Sequence, residues 1–350
     1  MARLAGFVLL IAIAVALTTG SVASKAVVSK REGTIAFIRM VSGKVGGNRL
    51  FVVRPDGSGL RPVSPPGVWF SYAWSPDGSL IAYIDRHLSV WLVRPDGSGR
   101  RLLLPASRLH TLSLSWSPDG TRIAITTKCR KARCSRYGLY VVPISGRAPV
   151  RLPAGEHVGY GVSWSPNGDE IYYDNGGIWA IRPDGTGRRK ISAVGSTGSL
   201  SPDGRQFAFG VAIHLKQGTD RYRAFAVVDA DGRHFHVVTT HAYNEYGVAW
   251  SPHGRRILYG RAGSPSFYRF KSQGIWVIDP DSRNNHRITR DSPPQADWGA
   301  LAWSPSGDSI VYDTGPYKNT DLYVIGADGR DKIHLTSGHG VDIDPTWVAG

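Results

Sequence analysis

Short apolar segments alternate with polar turns along almost the whole chain. Three-residue apolar segments of the type Ile-Ala-Tyr recur seven times, at residues 35–37, 81–83, 123–125, 171–173, 207–209, 257–259 and 310–312. The first and last copies are separated by six steps of about 46 residues each, which is the spacing of units that contain four β-strands. The pattern therefore predicts an all-β protein that is built from repeated units.

Two kinds of turn separate the predicted strands. Trp-Ser-Pro-Asp-Gly stands at residues 74–78 and 116–120, and variants of it occur at 164–168, 200–204, 250–254 and 303–307. Arg-Pro-Asp-Gly stands at residues 54–57, 94–97 and 182–185, with degenerate versions at 143–146, 229–232, 279–282 and 326–329. Proline fixes φ near −65° and glycine takes the left-handed conformation, so both motifs predict tight hairpins. The paired aspartates at 229–231 and 279–281 lack a downstream calcium-binding glutamate, which favours turns over calcium loops.

Each unit supplies four strands, and seven units are recognisable. Six units have a first strand that leads into a pentapeptide copy, and the first strand of the seventh stands alone at the end of the sequence, in Asp344-Pro345-Thr346-Trp347. We predict a β-propeller of seven four-stranded blades, in which this C-terminal strand completes the blade that begins near Thr34. Closure of the ring would remove the exposed sheet edges. Six blades is the alternative, if the weak unit around Leu200 is not a complete blade.

The repeated Trp-Ser-Pro-Asp-Gly followed by Ile-Ala-Tyr resembles the WD40-like PD40 repeats of the TolB family, from about Gly33 to Trp347. The resemblance implies a periplasmic propeller and says little about function, because such propellers serve many roles. The founding member of the family belongs to an envelope complex with a peptidoglycan-associated lipoprotein and has an additional α/β domain before its propeller. Here we expect the propeller without that domain.

The N-terminal segment resembles an export signal. Arg3 is followed by an unbroken run of small and apolar residues from Ala5 to Leu17, and small residues follow it. The run is short for a membrane span and suits a signal peptide. We predict a signal peptide at residues 1–24, a linker at 25–32 and a single propeller domain at 33–350, in a periplasmic, cell-envelope or secreted protein. An uncleaved membrane anchor is the alternative, and only then do we expect membrane contact.

A formal charge of +15 favours anionic partners. The long connections between the second and third strands and between blades share one face of the predicted ring, the long-loop face, and variable loops on a rigid scaffold usually carry binding residues. Several of these loops are basic, including one with Arg261, Arg269 and Lys271. The candidate binding residues are Lys128, Arg130, Lys131, Arg133, Arg136, His157, Tyr160, His241, Tyr243, Tyr246 and Trp298. A solvated surface with scattered charge is the competing interpretation.

The sequence favours a monomeric, non-catalytic scaffold that binds a protein partner or an anionic envelope polymer and needs no cofactor. Export makes nucleic acid the least expected partner. Cys129 and Cys134 predict a local disulfide in a basic loop of an exported protein. The alternative function is a metal-dependent lyase or hydrolase that acts on a polysaccharide, with histidines such as His234, His236 and His241 at the mouth of the ring. No Gly-x-Ser-x-Gly motif supports a fused hydrolase.

Overall fold

Twenty-eight β-strands form seven four-stranded antiparallel sheets in the computed structural model. It describes residues 32–40, 47–107, 109–128, 138–155, 157–195, 198–214, 221–239, 243–263, 271–291, 301–315, 319–338 and 340–349. The predicted signal peptide and most of the predicted linker lie outside these residues. No helix long and apolar enough to cross a membrane occurs in the described part of the chain.

The strands are numbered in chain order, and each blade contains a first, second, third and fourth strand. The first strands are β28 (Val341–Val348), β4 (Val68–Trp74), β8 (His110–Trp116), β12 (Val162–Trp164), β16 (Ser199–Leu200), β20 (Tyr243–Trp250) and β24 (Leu301–Trp303). The second strands are β1 (Thr34–Met40), β5 (Ile81–Asp85), β9 (Arg122–Lys128), β13 (Ile171–Asp174), β17 (Gln206–His214), β21 (Ile257–Gly263) and β25 (Ser309–Thr314).

The third and fourth strands complete the blades in the same order. The third strands are β2 (Arg49–Val53), β6 (Val90–Val93), β10 (Gly138–Pro143), β14 (Ile178–Ile181), β18 (Arg221–Asp229), β22 (Lys271–Ile278) and β26 (Asp321–Gly326). The fourth strands are β3 (Arg61–Pro62), β7 (Arg101–Leu104), β11 (Val150–Leu152), β15 (Arg189–Ser192), β19 (His236–Val237), β23 (His286–Thr289) and β27 (Ile333–His334). First strands of neighbouring blades contact each other; for example, β4 contacts β8 and β20 contacts β24. The first strands therefore surround the central axis of the ring.

The C-terminal strand closes the ring as predicted. β28 pairs antiparallel with β1, with Trp347 opposite Ile35 and Val348 opposite Thr34. The unit around Leu200 is a complete blade, formed by β16 to β19, so the six-blade alternative is wrong. Blade 1 is therefore assembled from the two ends of the propeller, and the remaining blades follow in sequence order.

The hydrophobic core lies between the blades. Alternate residues of β1 face opposite neighbours: Ile35 and Phe37 pack with Val311 of blade 7, whereas Ile38 packs with Tyr83 of blade 2. Strands that are buried on both faces read as continuous apolar runs, which explains the Ile-Ala-Tyr signature. Each core cluster is thus shared by two blades, and no blade is buried without its neighbours.

The repeated tryptophan joins the first strand of one blade to that of the preceding blade. The indole N–H of Trp303 donates to the carbonyl oxygen of Ala249 at 3.2 Å, and that of Trp116 donates to Ala73 at 3.1 Å. Trp250 repeats the bond to Ser199 at 3.0 Å. At blade 4 the buried indole N–H of Trp164 has no hydrogen-bond partner in the described residues.

The aspartate of the pentapeptide turn is held by the turn itself. Ser75 Oγ donates to Asp77 Oδ1 at 2.6 Å and accepts from the backbone N–H of Leu80 at 2.9 Å. This serine hydroxyl lowers the pKa of Asp77, and the equivalent Ser117 lowers the pKa of Asp119 to about 2. The carboxylates therefore stabilise the hairpins, as the turn interpretation predicts.

A basic residue on the fourth strand reaches the outer turn of the following blade. Arg61 donates to the carbonyl oxygen of Pro95 at 3.0 Å, and Arg101 donates to that of Ile144 at 2.8 Å. Arg189 makes the same bond to Ala230 at 2.8 Å. Part of the repeated positive charge on these strands thus connects neighbouring blades.

Candidate functional site

Most of the candidate binding residues lie outside the described part of the chain. This applies to Arg130, Lys131, Arg133, Arg136, His241 and Trp298, and also to Cys129 and Cys134, so the disulfide remains a prediction. The backbone places Lys128 at the end of β9 and places Tyr243 and Tyr246 within β20. All three were assigned to loops, but β9 ends later and β20 starts earlier than the sequence predicts.

His157 and Tyr160 lie on the connection between blades 3 and 4, at the long-loop face. Both are exposed, and 64% of Tyr160 is accessible to solvent. The backbone around them is tied to the end of β13, because the N–H groups of Gly159 and Gly161 bond to the main chain and side chain of Asp174 at 2.8 and 3.0 Å. These two residues are therefore presented to solvent on an anchored loop.

A buried ion pair lies at the long-loop end of blade 6. Arg261 Nη2 donates to Glu245 Oε1 at 3.0 Å, and the two side chains are only 5% and 1% exposed. The guanidinium lies 4.4 Å from the ring centre of Trp276. Burial raises the pKa of Glu245 to about 7, against the opposing effect of bonds from Thr239 and Arg261. Arg261 was assigned to a basic loop, and this was wrong because β21 continues to Gly263.

Blade 1 contains the same arrangement at the same register. Arg39 bonds to both carboxylate oxygens of Asp342, at 2.6 and 2.7 Å, and lies 4.9 Å from the ring centre of Phe51. The acid in each case lies five residues before the terminal tryptophan of the first strand and opposite the arginine of the second strand. In blade 3 the corresponding pair is Thr111 and Thr127, so this arrangement is not part of the repeat.

Blade 7 buries a third carboxylate at its long-loop end. Asp313 is fully buried, and neither of its carboxylate oxygens has a hydrogen-bond partner among the described residues. Its strand neighbour Val311 belongs to the core between blades 7 and 1, and side chains two residues apart point to the same face of a strand. Burial raises the pKa of Asp313 strongly, with further contributions from the charges of Asp344 and Asp342.

Asp344 lies beside this group on the inner strand β28. It has a left-handed φ of 53° where the register of β28 against β1 shifts, which marks a bulge. Its carbonyl oxygen accepts a hydrogen bond from the hydroxyl of Tyr72. The carboxyl group keeps some exposed surface but lies deep in the molecule, and burial raises its pKa to about 7. A proton can therefore reside on this acid near neutral pH.

The sequence contained only a weak signal for these groups. Arg39 interrupts an otherwise apolar strand and Asp313 follows Ile-Val-Tyr directly, but a polar residue at a strand end is ordinarily read as the start of a loop. Their burial depends on the strand of the neighbouring blade, which sequence periodicity does not reveal. The three carboxylates Glu245, Asp313 and Asp342 were missed for that reason.

Two of the histidines considered for a metal site, His234 and His236, contact other groups of the protein through their ring nitrogens. His234 Nδ1 lies 2.6 Å from Asp229 Oδ2, and both ring nitrogens of His236 lie 2.9 Å from carbonyl oxygens, those of His234 and Pro280. Within the described residues, no group of three or more His, Cys, Asp or Glu side chains is arranged to hold a metal ion. Both histidines lie at the outer edge of blade 5, away from the axis.

Two open grooves of the described residues lie on the face opposite the long-loop face, here called the hairpin face because it carries the tight hairpins. One, of about 800 Å³, lies between the turns of blades 6, 7 and 1 and is lined by residues that include Arg256, His286 and Asp308. The second, of about 760 Å³, lies at blades 4 and 5 beside Glu170 and Arg189. In the second groove these two residues form an ion pair at 2.7 Å, so part of its polar lining is already satisfied.

Comparison with known proteins agrees with this architecture. Tol-Pal system protein TolB from Anaeromyxobacter dehalogenans strain 2CP-C is 30% identical over 119 residues, which is 34% of this chain and 25% of that protein. Protein TolB homolog from Chlorobium luteolum is 32% identical over 115 residues, which is 30% of this chain and 25% of that protein. The matches thus span a quarter of the length of these relatives.

Solved structures share the fold at low sequence identity. TolB from Acinetobacter baumannii superimposes with a TM-score of 0.56 at 18% identity, over 90% of this chain and 66% of that one. Oligogalacturonate lyase from Vibrio parahaemolyticus gives 0.61 at 12% identity, over 80% and 83% of the two chains. The TolB beta propeller domain family, PD40, matches residues 24–293, more than half of the sequence. The chain belongs to the TolB β-propeller domain family.

Proposed function

We propose that this protein is an exported, non-catalytic scaffold of the cell envelope that binds an acidic segment of a protein partner on its long-loop face. The observation that carries the proposal is that the buried carboxyl groups of the described residues lie at one end of the blades. Glu245, Asp313 and Asp342 all lie at the long-loop ends of their strands or beside them. Burying a carboxylate is unfavourable, and such groups are concentrated at functional sites.

The opposite face supports the same assignment. Its pentapeptide hairpins have nearly the same sequence in blade after blade, and in blades 2, 3 and 5 their aspartates bond the serine of their own turn. These pentapeptide hairpins therefore offer few polar groups to a selective partner. The long-loop face differs from blade to blade and presents His157 and Tyr160 to solvent.

The names of the relatives favour a protein partner over a small substrate. The Anaeromyxobacter relatives are described as Tol-Pal system proteins, components of an assembly. The oligogalacturonate lyase shares only the fold at 12% identity and gives no support for lyase activity here. The loop cations Arg130, Lys131 and Arg133 make an acidic segment the favoured ligand.

Site-specific photo-crosslinking in the native host tests the proposal. A photoreactive amino acid at Tyr160 should yield one discrete protein adduct, because this side chain lies on the proposed surface. The same probe at Phe235, which is 46% exposed at the outer edge of blade 5, should yield none. The triple variant Arg130→Ser, Lys131→Ser and Arg133→Ser should lose the adduct at Tyr160 while keeping its melting temperature.

Two outcomes would contradict the proposal. Adduct formation of equal yield at Tyr160 and Phe235 would show that contact is not confined to the long-loop face. An adduct that survives the triple variant at full yield would show that the loop cations do not select the partner.

A further inference from the structure

The outer edge of the ring has an uneven distribution of charge. We define the outer edge of a blade as its turn between the third and fourth strands together with the fourth strand. In blades 1 to 4 these are residues 54–63, 94–104, 143–152 and 182–192, here called the basic arc. The basic arc contains eleven Lys and Arg and three Asp, a formal charge of +8.

The outer edge of the other three blades carries no excess of positive charge. Residues 229–238, 279–289 and 326–335 of blades 5 to 7 contain five Lys and Arg and six Asp, a formal charge of −1. All seven segments lie in the described part of the chain, so the comparison covers the whole circumference. A general need for solubility does not explain a charge that is concentrated on four consecutive blades.

The cations of the basic arc are mostly exposed to solvent. All are exposed except Arg189, which is partly buried and pairs with Glu170 at 2.7 Å. By contrast, several cations at the edge of blades 5 to 7 form ion pairs with acids. The nitrogen–oxygen distances are 3.8 Å for Arg233 and Asp231, 3.6 Å for Arg283 and Asp281, and 2.6 Å for Lys332 and Asp291. The basic arc therefore retains charge that is available to a ligand.

Two guanidinium groups of the basic arc are fixed in position. Arg100 lies 3.6 Å from the ring centre of Trp91, and its Nε donates to the hydroxyl of Tyr83 at 2.7 Å. Arg188 repeats this over Trp179 at 4.2 Å, with its Nε bonded to Tyr173 at 2.9 Å. Because stacking and the Nε bond fix the side chain, its Nη groups can bind a carboxylate or phosphate with less loss of entropy.

The shape of the basic arc favours an extended chain over a flat surface. Four of seven blades cover more than half of a convex circumference, and a flat membrane that meets this edge touches only two neighbouring blades at once. A flexible polymer can follow the edge from blade to blade. Leu60, Leu102 and Val150 are 38%, 44% and 56% exposed between the cations and offer contacts to the apolar parts of such a chain.

We propose that the basic arc binds a linear polyanion, a polymer with a carboxylate or phosphate on each repeating unit. This surface is separate from the long-loop face, and it would hold the scaffold on an envelope polymer while that face engages its protein partner. Binding should weaken steeply with added salt, because exposed charges are screened over about 8 Å at physiological ionic strength.

The test compares two variants of equal charge. The first is Arg54→Gln, Arg94→Gln, Arg147→Gln and Arg182→Gln, which removes one exposed cation from each blade of the basic arc and leaves the stacked and bridging arginines intact. The control is Arg233→Gln, Arg255→Gln, Arg283→Gln and Arg330→Gln, which removes four exposed cations from blades 5 to 7. The probes are polygalacturonate, inorganic polyphosphate, and vesicles of phosphatidylglycerol with phosphatidylethanolamine, all at low salt.

We expect the wild-type protein to bind at least one of the two polymers, and the polymer that binds identifies carboxylate or phosphate as the preferred group. The basic-arc variant should bind about tenfold more weakly, since each exposed charge contributes a fraction of a kcal/mol, and the control should change by less than about twofold. Equal melting temperatures of both variants verify the fold. Equal weakening in both variants, absence of binding to either polymer, or binding to vesicles alone would each overturn the proposal.

Discussion

At the scale of single residues, the buried carboxyl groups of the long-loop end differ in their partners. Asp313 has no hydrogen-bond partner among the described residues, whereas Glu245 and Asp342 each face an arginine. An isolated carboxyl group in a dry interior is more stable in its protonated form, because the charge loses its hydration. Asp313 therefore opposes folding whenever the solution pH requires it to ionise.

Asp313→Asn is expected to stabilise the protein in a pH-dependent manner. The folded protein holds the pKa of Asp313 well above its unfolded value, so its stabilising contribution is complete at low pH and is lost as the pH rises through the folded pKa. Asn cannot ionise and escapes that loss. The variant should match the wild type near pH 4 and exceed it by about 1–3 kcal/mol near pH 8 in denaturant unfolding.

A matched control for this experiment is Asp328→Asn, which changes an exposed acid of the same blade. Its unfolding free energy should follow that of the wild type across the same pH range. A gain in stability for Asp313→Asn that is equal at both pH values would show that the side chain acts through packing and not through its charge.

At the scale of elements, the tryptophan bonds connect the first strands around the axis. Trp303 and Trp164 occupy the same position in blades 7 and 4 and are 7% and 5% exposed. The indole N–H of Trp303 donates to the Ala249 carbonyl, whereas that of Trp164 has no acceptor among the described residues. Trp303→Phe should therefore cost about 1 kcal/mol more than Trp164→Phe, because it also leaves the Ala249 carbonyl without its donor. Calorimetric unfolding of both variants measures the difference, and equal losses would contradict it.

Turn chemistry and strand periodicity allowed the strands and hairpins to be predicted from the sequence. The packing between blades could not be predicted in this way. The seven Ile-Ala-Tyr strands and the pentapeptide hairpins are local features, and each is read from fewer than ten consecutive residues. The bonds from Arg61 and Arg101 join residues of different blades, so the fourth strand reads only as basic and apolar. Arg261 was misassigned for a different reason, because its acid partner lies on the adjacent strand of the same blade and the local sequence does not indicate this pairing.

At the scale of the whole molecule, ring closure rests on β28. Deletion of residues 341–350 removes the first strand of blade 1 and exposes the edge of β1. It also removes Ile343 from the core cluster that contains Ile38 and Tyr83. We expect aggregation in place of a monomer, because an unpaired apolar edge strand can pair with other chains. Size-exclusion chromatography measures the outcome, with deletion of Gly350 alone as the control. A soluble truncated monomer with an intact thermal transition would contradict the prediction.

The pairing of Ile35 with Trp347 also determines when the protein can complete its folding. β1 can pair with β2 as soon as both are synthesised, but its other edge has no partner until β28 follows, so a polypeptide that stops before β28 cannot close the ring. If the protein is exported as an extended chain, β1 emerges before β28, and the edge of β1 that faces β28 stays open until about three hundred further residues have followed. Ring closure therefore depends on synthesis of β28, and a chain that lacks this strand cannot form the closed propeller.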